Sequence, residues 1–411
     1  MTRLVCIGDC HFGVRGGRNP DRYAAFDQIV AYGLALEALG GWLLAGDVFD
    51  AKSSIDDRNA VAWRLQQMAN AAPVVLVAGN HDAPGDLAIF GRLAARCPII
   101  VADEAPDLLR VELATGAHLT AFLLPYQHRG GLVAAGTAHA DLGVELRARV
   151  APVFERMAGD LRDAAAAGDL TLLLGHMAIV DALSSTGQPT IGAEAALDAD
   201  LLACLPDIPK LFGHIHRQQD VHGATYLGSI ARQDFGEAEA KVFGVLDYAS
   251  PASWRLQIVP IDTPRQMRVV GRLTREAFTI REIDGETADG ADASVWRGAD
   301  IKVAYAYRKS EIGALDLAKI HAEFAEARSL VLDPQPELDH EVRAPEIAAA
   351  ATLEQKVEAF CALNQIAVTD HVRACLAALQ GNDSASLLAQ VRAFAAAAGA
   401  DEPAAAEVAV A

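Results

Sequence analysis

Short apolar runs that stop at a glycine recur through the first half of this 411-residue chain. Leu4–Ile7 ends at Gly8-Asp9, Trp42–Ala45 at Gly46-Asp47 and Val74–Ala78 at Gly79-Asn80. Later, Leu170–Leu174 ends at Gly175-His176 and Pro209–Phe212 at Gly213-His214. Runs this short and this continuous fit strands buried on both faces. Between the first two, Phe26, Ile29, Val30 and Leu34 fall on one face of a helix predicted over 22–39, and a second helix is predicted over 57–71. Strand and helix patterns that alternate in this way predict an α/β layered domain. In such folds ligands gather outside the carboxyl ends of strands. Glycine lets the backbone turn sharply there and approach an ion closely.

Beyond residue 218 the pattern becomes hairpin-like, with strands predicted at 225–227, 242–246 and 254–259. The segment Pro260-Ile261-Asp262-Thr263-Pro264 reads as a boundary. A smaller α/β unit comes next, with a strand over 301–307 and a helix over 315–327. Residues 333–345 hold three prolines and several carboxylates and read as a linker. Three amphipathic helices are then predicted. Their stripes are Leu353, Val357, Phe360 and Cys361; Val372, Cys375, Leu376 and Leu379; and Leu387, Leu388 and Val391. Gly381-Asn382-Asp383 separates the last two, with Ser384 as N-cap. These helices read either as a small bundle on the main domain or as a docking module for another chain. The expected divisions are 1–264, 265–332, a linker over 333–350, a helical segment over 351–399 and a frayed Ala-rich tail over 400–411.

Charge restricts the partners. The net charge is −19, lysine occurs seven times, and from Pro336 onward eleven acidic residues face four basic ones. A protein that grips duplex nucleic acid unaided usually carries a basic footprint. Any such affinity here has to come from local arginines, from metals or from a partner. The six cysteines form no C-x-x-C pair, so reduced thiols are expected, and Cys10 alternates away from its neighbours as a structural residue. No run reaches the roughly 20 apolar residues of a membrane span, and no secretory apolar region follows the start. A cytoplasmic protein without membrane contact is expected.

The residues after the glycines carry the chemistry. In order they are Asp9 with His11, Asp47, Asn80 with His81, His176, and His214 with His216. Carboxylate, amide and imidazole donors in such a mixture suit six-coordinate Mn²⁺ or Fe²⁺. Asp9, His11 and His216 could hold one ion, and Asn80, His176 and His214 a second, with Asp47 shared between both. Paired metals stabilise the attacking and leaving oxygens of an in-line displacement at phosphorus. His81, adjacent to a ligand but not needed as one, is placed to give a proton to the leaving oxygen. Asp50 and Asp82 could orient a nearby histidine. Each fragment alone is weak, since Gly-Asp or Asn-His is ordinary turn chemistry. All five in order, each behind an apolar run, form a specific signal.

Arg15, Arg18 and Arg22 follow the first pair, and Lys52 and Arg58 follow the second motif; beside the metals they are candidate phosphate contacts, against a default of solvated loops. The other histidines read as ordinary residues, with His128 next to Leu124-Pro125-Tyr126 as the mild exception.

The five fragments resemble the signature of the calcineurin-like metallophosphoesterase superfamily over roughly residues 1–260. Gly46-Asp47-Val48-Phe49-Asp50, Leu124-Pro125-Tyr126, and Tyr226-Leu227-Gly228-Ser229 followed by Arg232, Phe235 and Glu237 resemble the SbcD-type exonuclease subunits, bacterial counterparts of the double-strand-break repair nuclease. The resemblance implies a layered fold, a β-sandwich flanked by helices, with a small α/β capping domain after Pro264 and C-terminal helices that bind an SMC-like ATPase of the SbcC type. It implies two divalent metal ions, with Mn²⁺ as the expected metal. It also implies 3′→5′ exonuclease activity on duplex DNA, endonuclease activity on single strands, and a homodimer formed through early helices, here those predicted over 57–71 and 86–96. One rival is a phosphodiesterase for a small nucleotide, which the same centre would serve; another is a non-catalytic scaffold of the same fold, against which the complete ligand set argues.

Overall fold

Side chains of the first apolar runs divide between two cores, as strand alternation requires. Leu4, Cys6, Leu43, Ala45, Val75 and Val77 face one core, and Val5, Ile7, Trp42, Leu44, Val74 and Leu76 face another. Both faces are buried, which is why the runs read as continuously apolar.

The computed structural model describes residues 1–13, 19–128, 142–184, 196–233, 235, 237, 239–288, 294–337, 345–370, 372–373 and 376. In chain order the elements begin with β1 (Thr2–Ile7), α1 (Asn19–Leu34), β2 (Leu39–Leu44), α2 (Ile55–Ala69), β3 (Val74–Val77) and β4 (Ile99–Ala102). Next come β5 (Asp107–Glu112), β6 (His118–Leu124), α3 (Leu142–Ala166), β7 (Leu170–His176), β8 (Ala178–Ile179), β9 (Ala196–Leu197) and α4 (Ala199–Ala203). The last of this set are β10 (Lys210–Gly213), β11 (Gln219–Val221), β12 (Ala224–Tyr226), β13 (Val242–Ser250) and β14 (Ser253–Pro260).

Two six-stranded sheets, ordered β14-β13-β1-β2-β3-β4 and β11-β12-β10-β7-β6-β5, pack face to face. Outside the first lie α1 and α2, which bury Phe26, Ile29, Val61, Leu65 and Met68 against it. Outside the second lie α3 and α4, with Phe154, Leu161 and Leu202 against Phe122, Leu173 and Phe212. The fold is therefore the expected α/β sandwich flanked by helices. Strand direction positions the chemistry. β1, β2 and β3 run parallel, with Ile7 beside Leu44 and Leu44 beside Leu76. β7 runs parallel to β6 and β10, with His176 beside Gly213. The carboxyl ends of β1, β2 and β3 in one sheet, and of β7 and β10 in the other, meet at one rim.

The chain divides into two compact units, Met1–Ala306 with Leu315–Gln335, and Tyr307–Ala314 with Pro336–Ala411. The boundary expected at 264/265 thus falls inside the first unit. A further sheet occupies that region: β15 (Gln266–Leu273), β16 (Phe278–Ile283), β17 (Glu286–Thr287), β18 (Asp300–Arg308) and β19 (Ser329–Glu337), ordered β17-β16-β15-β18-β19. Its buried side includes Val269, Leu273, Ile301 and Val303, together with Trp296, Phe324 and Ile320 of α5 (Ala318–Glu323). Arg328 reaches α1, donating to both oxygens of Asp21 at 2.6 and 2.7 Å. In the second unit, α6 (Pro345–Ala349) packs on α7 (Leu353–Leu363), whose Thr352 forms a capping box with Gln355.

Several elements differ from expectation. α1 stops at Leu34, which is exposed, because the chain reverses into β2 through Ala38 in the left-handed region. The helix expected over 315–327 is only the short α5. Residues 333–337, read as linker, complete β19; Pro334 and Pro336 are tolerated there because β19 is an edge strand. The segment 86–96 is turns and one 3₁₀ turn at Phe90–Arg92, not a helix. Most of the second amphipathic helix and all of the third lie outside the described residues.

Candidate metal centre

Three of the ligands sit on strained backbone at the rim, whereas His176 is still within β7. Asp47, His11 and His214 adopt φ of 46°, 51° and 90°, left-handed backbone that non-glycine residues rarely occupy. Strain of this kind persists only where the surrounding structure enforces it, and it clusters at functional sites. The glycines make the convergence possible. A Cβ on Gly79 would lie 2.1 Å from Asp47 Oδ1, and one on Gly46 would lie 2.3 Å from His176 Nδ1.

The loops bring the predicted ligands together, four of them buried and Asn80, His214 and His216 partly so. Asp9, His11, Asp47 and His176 are each 2% exposed or less. Potential ligand atoms of Asp9, Asp47 and His176 all lie within 4.8 Å of one another, as do those of His11, Asp47 and His81. Asp47 belongs to both groups, its Oδ2 standing 3.3 Å from His176 Nε2 and 3.7 Å from His11 Nε2. On one side, His11 Nε2 faces His216 Nε2 at 3.1 Å. On the other, Asn80 Oδ1 lies 3.0 Å from His176 Nε2 and 2.9 Å from His214 Nδ1.

Hydrogen bonds on the outer ring nitrogens set which atoms look inward. His176 Nδ1 lies 2.6 Å from the Ala45 carbonyl and donates to it, so Nε2 points to Asn80 and Asp47. His216 Nδ1 donates to Glu237 Oε1 at 2.9 Å. Asp9 Oδ1 accepts the His214 backbone N–H at 2.8 Å, while the fully buried Oδ2 has no hydrogen-bond partner among the described residues. An orphaned carboxylate oxygen and two facing imidazole nitrogens call for a cation. The electrostatics agree. Burial opposes a charged His176, yet the Asp47 and Asp9 carboxylates outweigh it and lift its pKa to about 9. Burial likewise opposes ionisation of Asp47, but His176 and His11 hold its carboxyl well below the usual range. The donor set therefore fits divalent cations: Asp9 and His176 gather with Asp47, and His11 and His81 gather with it too, while His216 faces His11 and Asn80 reaches both His176 and His214.

His81 stands at the open side of the cluster. Its backbone N–H donates to Asp47 Oδ1 at 2.8 Å, its Nδ1 lies 2.8 Å from the Asp50 carbonyl, and its ring centre is 4.9 Å from that of His11. It is exposed, unlike the inner ligands. Asp50 Oδ1 is 3.2 Å from His11 Nδ1, in reach of a histidine as expected.

Other expectations need correction. Asp82 holds no imidazole; it accepts backbone N–H groups from Phe49 and Gly79, both at 2.9 Å, and Val48 at 3.3 Å. It ties the Asp47 loop to the Asn80 loop, and burial, reinforced by Asp47, raises its pKa to about 7. Arg22 is 1% exposed and donates to Gln233, so it does not present itself to phosphate. Lys52 is exposed, and Arg58 stands 3.8 Å from Asp86 in the first turn of α2. Arg15 and Arg18 lie outside the described residues. His128 packs edge-on against Tyr126, whose ring lies 5.8 Å from that of His214. Glu237 is visible in the sequence only as part of a motif; nothing in its local pattern links it to a histidine 21 residues before it.

Residues 2–218 match the sequence profile of the calcineurin-like phosphoesterase family. Among solved structures, the chain is similar to a dimetal phosphatase from Danio rerio at 12% identity, over 63% of this chain and 96% of that one, with a TM-score of 0.39. It is also similar to GAP50, the anchor in the inner membrane complex of Plasmodium, at 14% identity over 64% of this chain and 89% of that one, TM-score 0.37.

Proposed function

The chain belongs to the calcineurin-like phosphoesterase family, a phosphoester hydrolase by that membership, and we propose that it is the nuclease subunit of a DNA end-processing complex. In this reading it cleaves duplex DNA as a 3′→5′ exonuclease and single strands as an endonuclease, with an SMC-like ATPase as partner. The observation that carries the hydrolytic part is Asp47 standing between two donor groups at one rim. Two divalent ions, of which Mn²⁺ suits the mixed donors, would supply Lewis-acid stabilisation of the attacking and leaving oxygens. The chain's own residues do the rest. The Asp50 carbonyl accepts from His81 Nδ1–H and so orients the ring, and the imidazolium form would present Nε2–H to the departing sugar oxygen. Low exposure of Asp9, His11, Asp47 and His176 keeps bulk water from those four side chains.

Support for DNA as substrate comes from the motifs after β12 and from the elements beyond residue 265. A small-nucleotide phosphodiesterase has no evident use for an added five-stranded sheet and a terminal helical unit. α7 carries Leu353, Phe360 and Leu363 at 45–54% exposure, a surface suited to another chain. A partner also answers the charge of −19, which disfavours unaided DNA binding. Exposed Ile55 and Ile89 lining a groove of about 300 Å³, with exposed Trp63 on the same helix as Ile55, support the homodimer. No helix among the described residues is long and apolar enough to cross a membrane.

The test is a Mn²⁺ titration with linear duplex DNA and a cyclic dinucleotide side by side, with and without the ATPase. Metal-dependent DNA cleavage is expected. Rapid turnover of the dinucleotide with no DNA cleavage in either condition would establish the small-nucleotide reading instead.

A further inference from the structure

Lys241 is a lysine at 1% exposure, and burying an ammonium group is costly unless it is fully paired. Its Nζ lies 2.6 Å from Glu237 Oε2, 3.0 Å from Ser229 Oγ and 3.1 Å from Glu239 Oε1. Glu237 is 4% exposed and is engaged on every side. Oε2 also accepts the Gln233 backbone N–H at 3.0 Å, Oε1 accepts from His216 Nδ1, and Arg232 Nε donates to the Glu237 carbonyl at 3.0 Å. A second strut returns to the same histidine, because the Ser229 N–H donates to the His216 carbonyl at 3.0 Å. So a buried cation, a buried carboxylate and a partly buried imidazole form one line that ends at the centre.

We propose that Glu237 and Lys241 are positioning residues that fix His216 with its proton on Nδ1 and its Nε2 lone pair turned toward His11 Nε2, where the two rings would share an ion. This rests on reading His216 as a ligand. Lys241 Nζ and the Gln233 N–H hold the Glu237 carboxylate against Nδ1, and a carboxylate on that nitrogen makes the imidazole a stronger donor to a metal. The Gln233 N–H holds the carboxylate and Arg232 holds the Glu237 backbone carbonyl, and Arg232 also donates to Thr263 Oγ1 at 2.8 Å and to the Pro264 carbonyl at 3.1 Å. The strap that orients His216 is thereby tied to the segment leading into the five-stranded sheet. The alternative is that the pair only closes the loop between β12 and β13.

The experiment is Mn²⁺ binding to the full chain by isothermal titration calorimetry, with the melting temperature of the metal-free protein measured alongside. Glu237→Gln is expected to weaken one of two Mn²⁺ equivalents by roughly 10–100-fold and leave the other as in the wild type. If that variant does not fold, Glu237→Leu/Lys241→Met decides, because it removes both buried charges together and leaves neither unpaired; the same selective loss is expected. Wild-type binding, or equal weakening of both equivalents, overturns the proposal. His216→Ala is the control. If it retains both equivalents, His216 is no ligand, and the assignment beneath the proposal fails as a separate result.

Discussion

The Nε2 atoms of His11 and His216 face each other across 3.1 Å, although the residues are 205 positions apart. His216 commits its other nitrogen to Glu237, and that of His11 lies beside Asp50. With each ring protonated on Nδ1, the two Nε2 lone pairs at this separation repel unless a positive charge lies between them. Mn²⁺ is therefore expected to raise the melting temperature of the chelator-treated protein. Saturation at a hundred times Kd is worth about 2.7 kcal/mol. A melting curve indifferent to millimolar Mn²⁺ would count against the centre.

Replacing His81 tests whether it serves chemistry or binding. His81→Ala is expected to keep both Mn²⁺ equivalents by calorimetry while cleavage of duplex DNA falls by roughly 10²–10⁴-fold. Loss of an equivalent in that variant would make His81 a ligand, a role its closeness to His11 and Asp47 also permits.

Gly79 is a packing prediction. A methyl group there meets Asp47 Oδ1 at 2.1 Å and Asp47 N at 2.3 Å, both fixed by the rim. Gly79→Ala is expected to cost about 1–3 kcal/mol of stability and to weaken Mn²⁺ binding in step. Unchanged urea midpoint and unchanged affinity together would show that the loop gives way freely.

The exposed cluster on and beside α2 tests the dimer. Trp63→Lys, at a side chain 60% exposed, is expected to leave the fold intact and turn a dimer into a monomer by light scattering. A variant that stays dimeric places the interface elsewhere.

On α7, Phe360→Ser and Leu363→Ser alter side chains 51% and 54% exposed. Together they are expected to abolish copurification with the ATPase and to leave Mn²⁺ binding untouched. Continued copurification at wild-type yield would remove this helix from the docking surface.

Much of the fold and most of the donor set are legible in the amino-acid order, for local reasons. Continuous apolar runs mark strands buried on both faces, and the glycine ending each run announces a turn where backbone and ligand approach closely. Asp9, Asp47, Asn80, His176 and His214 can be named because each comes directly after such a glycine. Edges and element lengths are less legible: Pro334 and Pro336 suggest a linker, and only the place of β19 at the rim of its sheet shows why they are allowed. What tertiary structure alone decided is which side chain touches which. Asp82 turned to three backbone amides instead of an imidazole, Arg22 went inward, and Glu237 came back to His216. Strand register and the return of the chain between β12 and β13 set those contacts, and they depend on residues far apart that no local period connects.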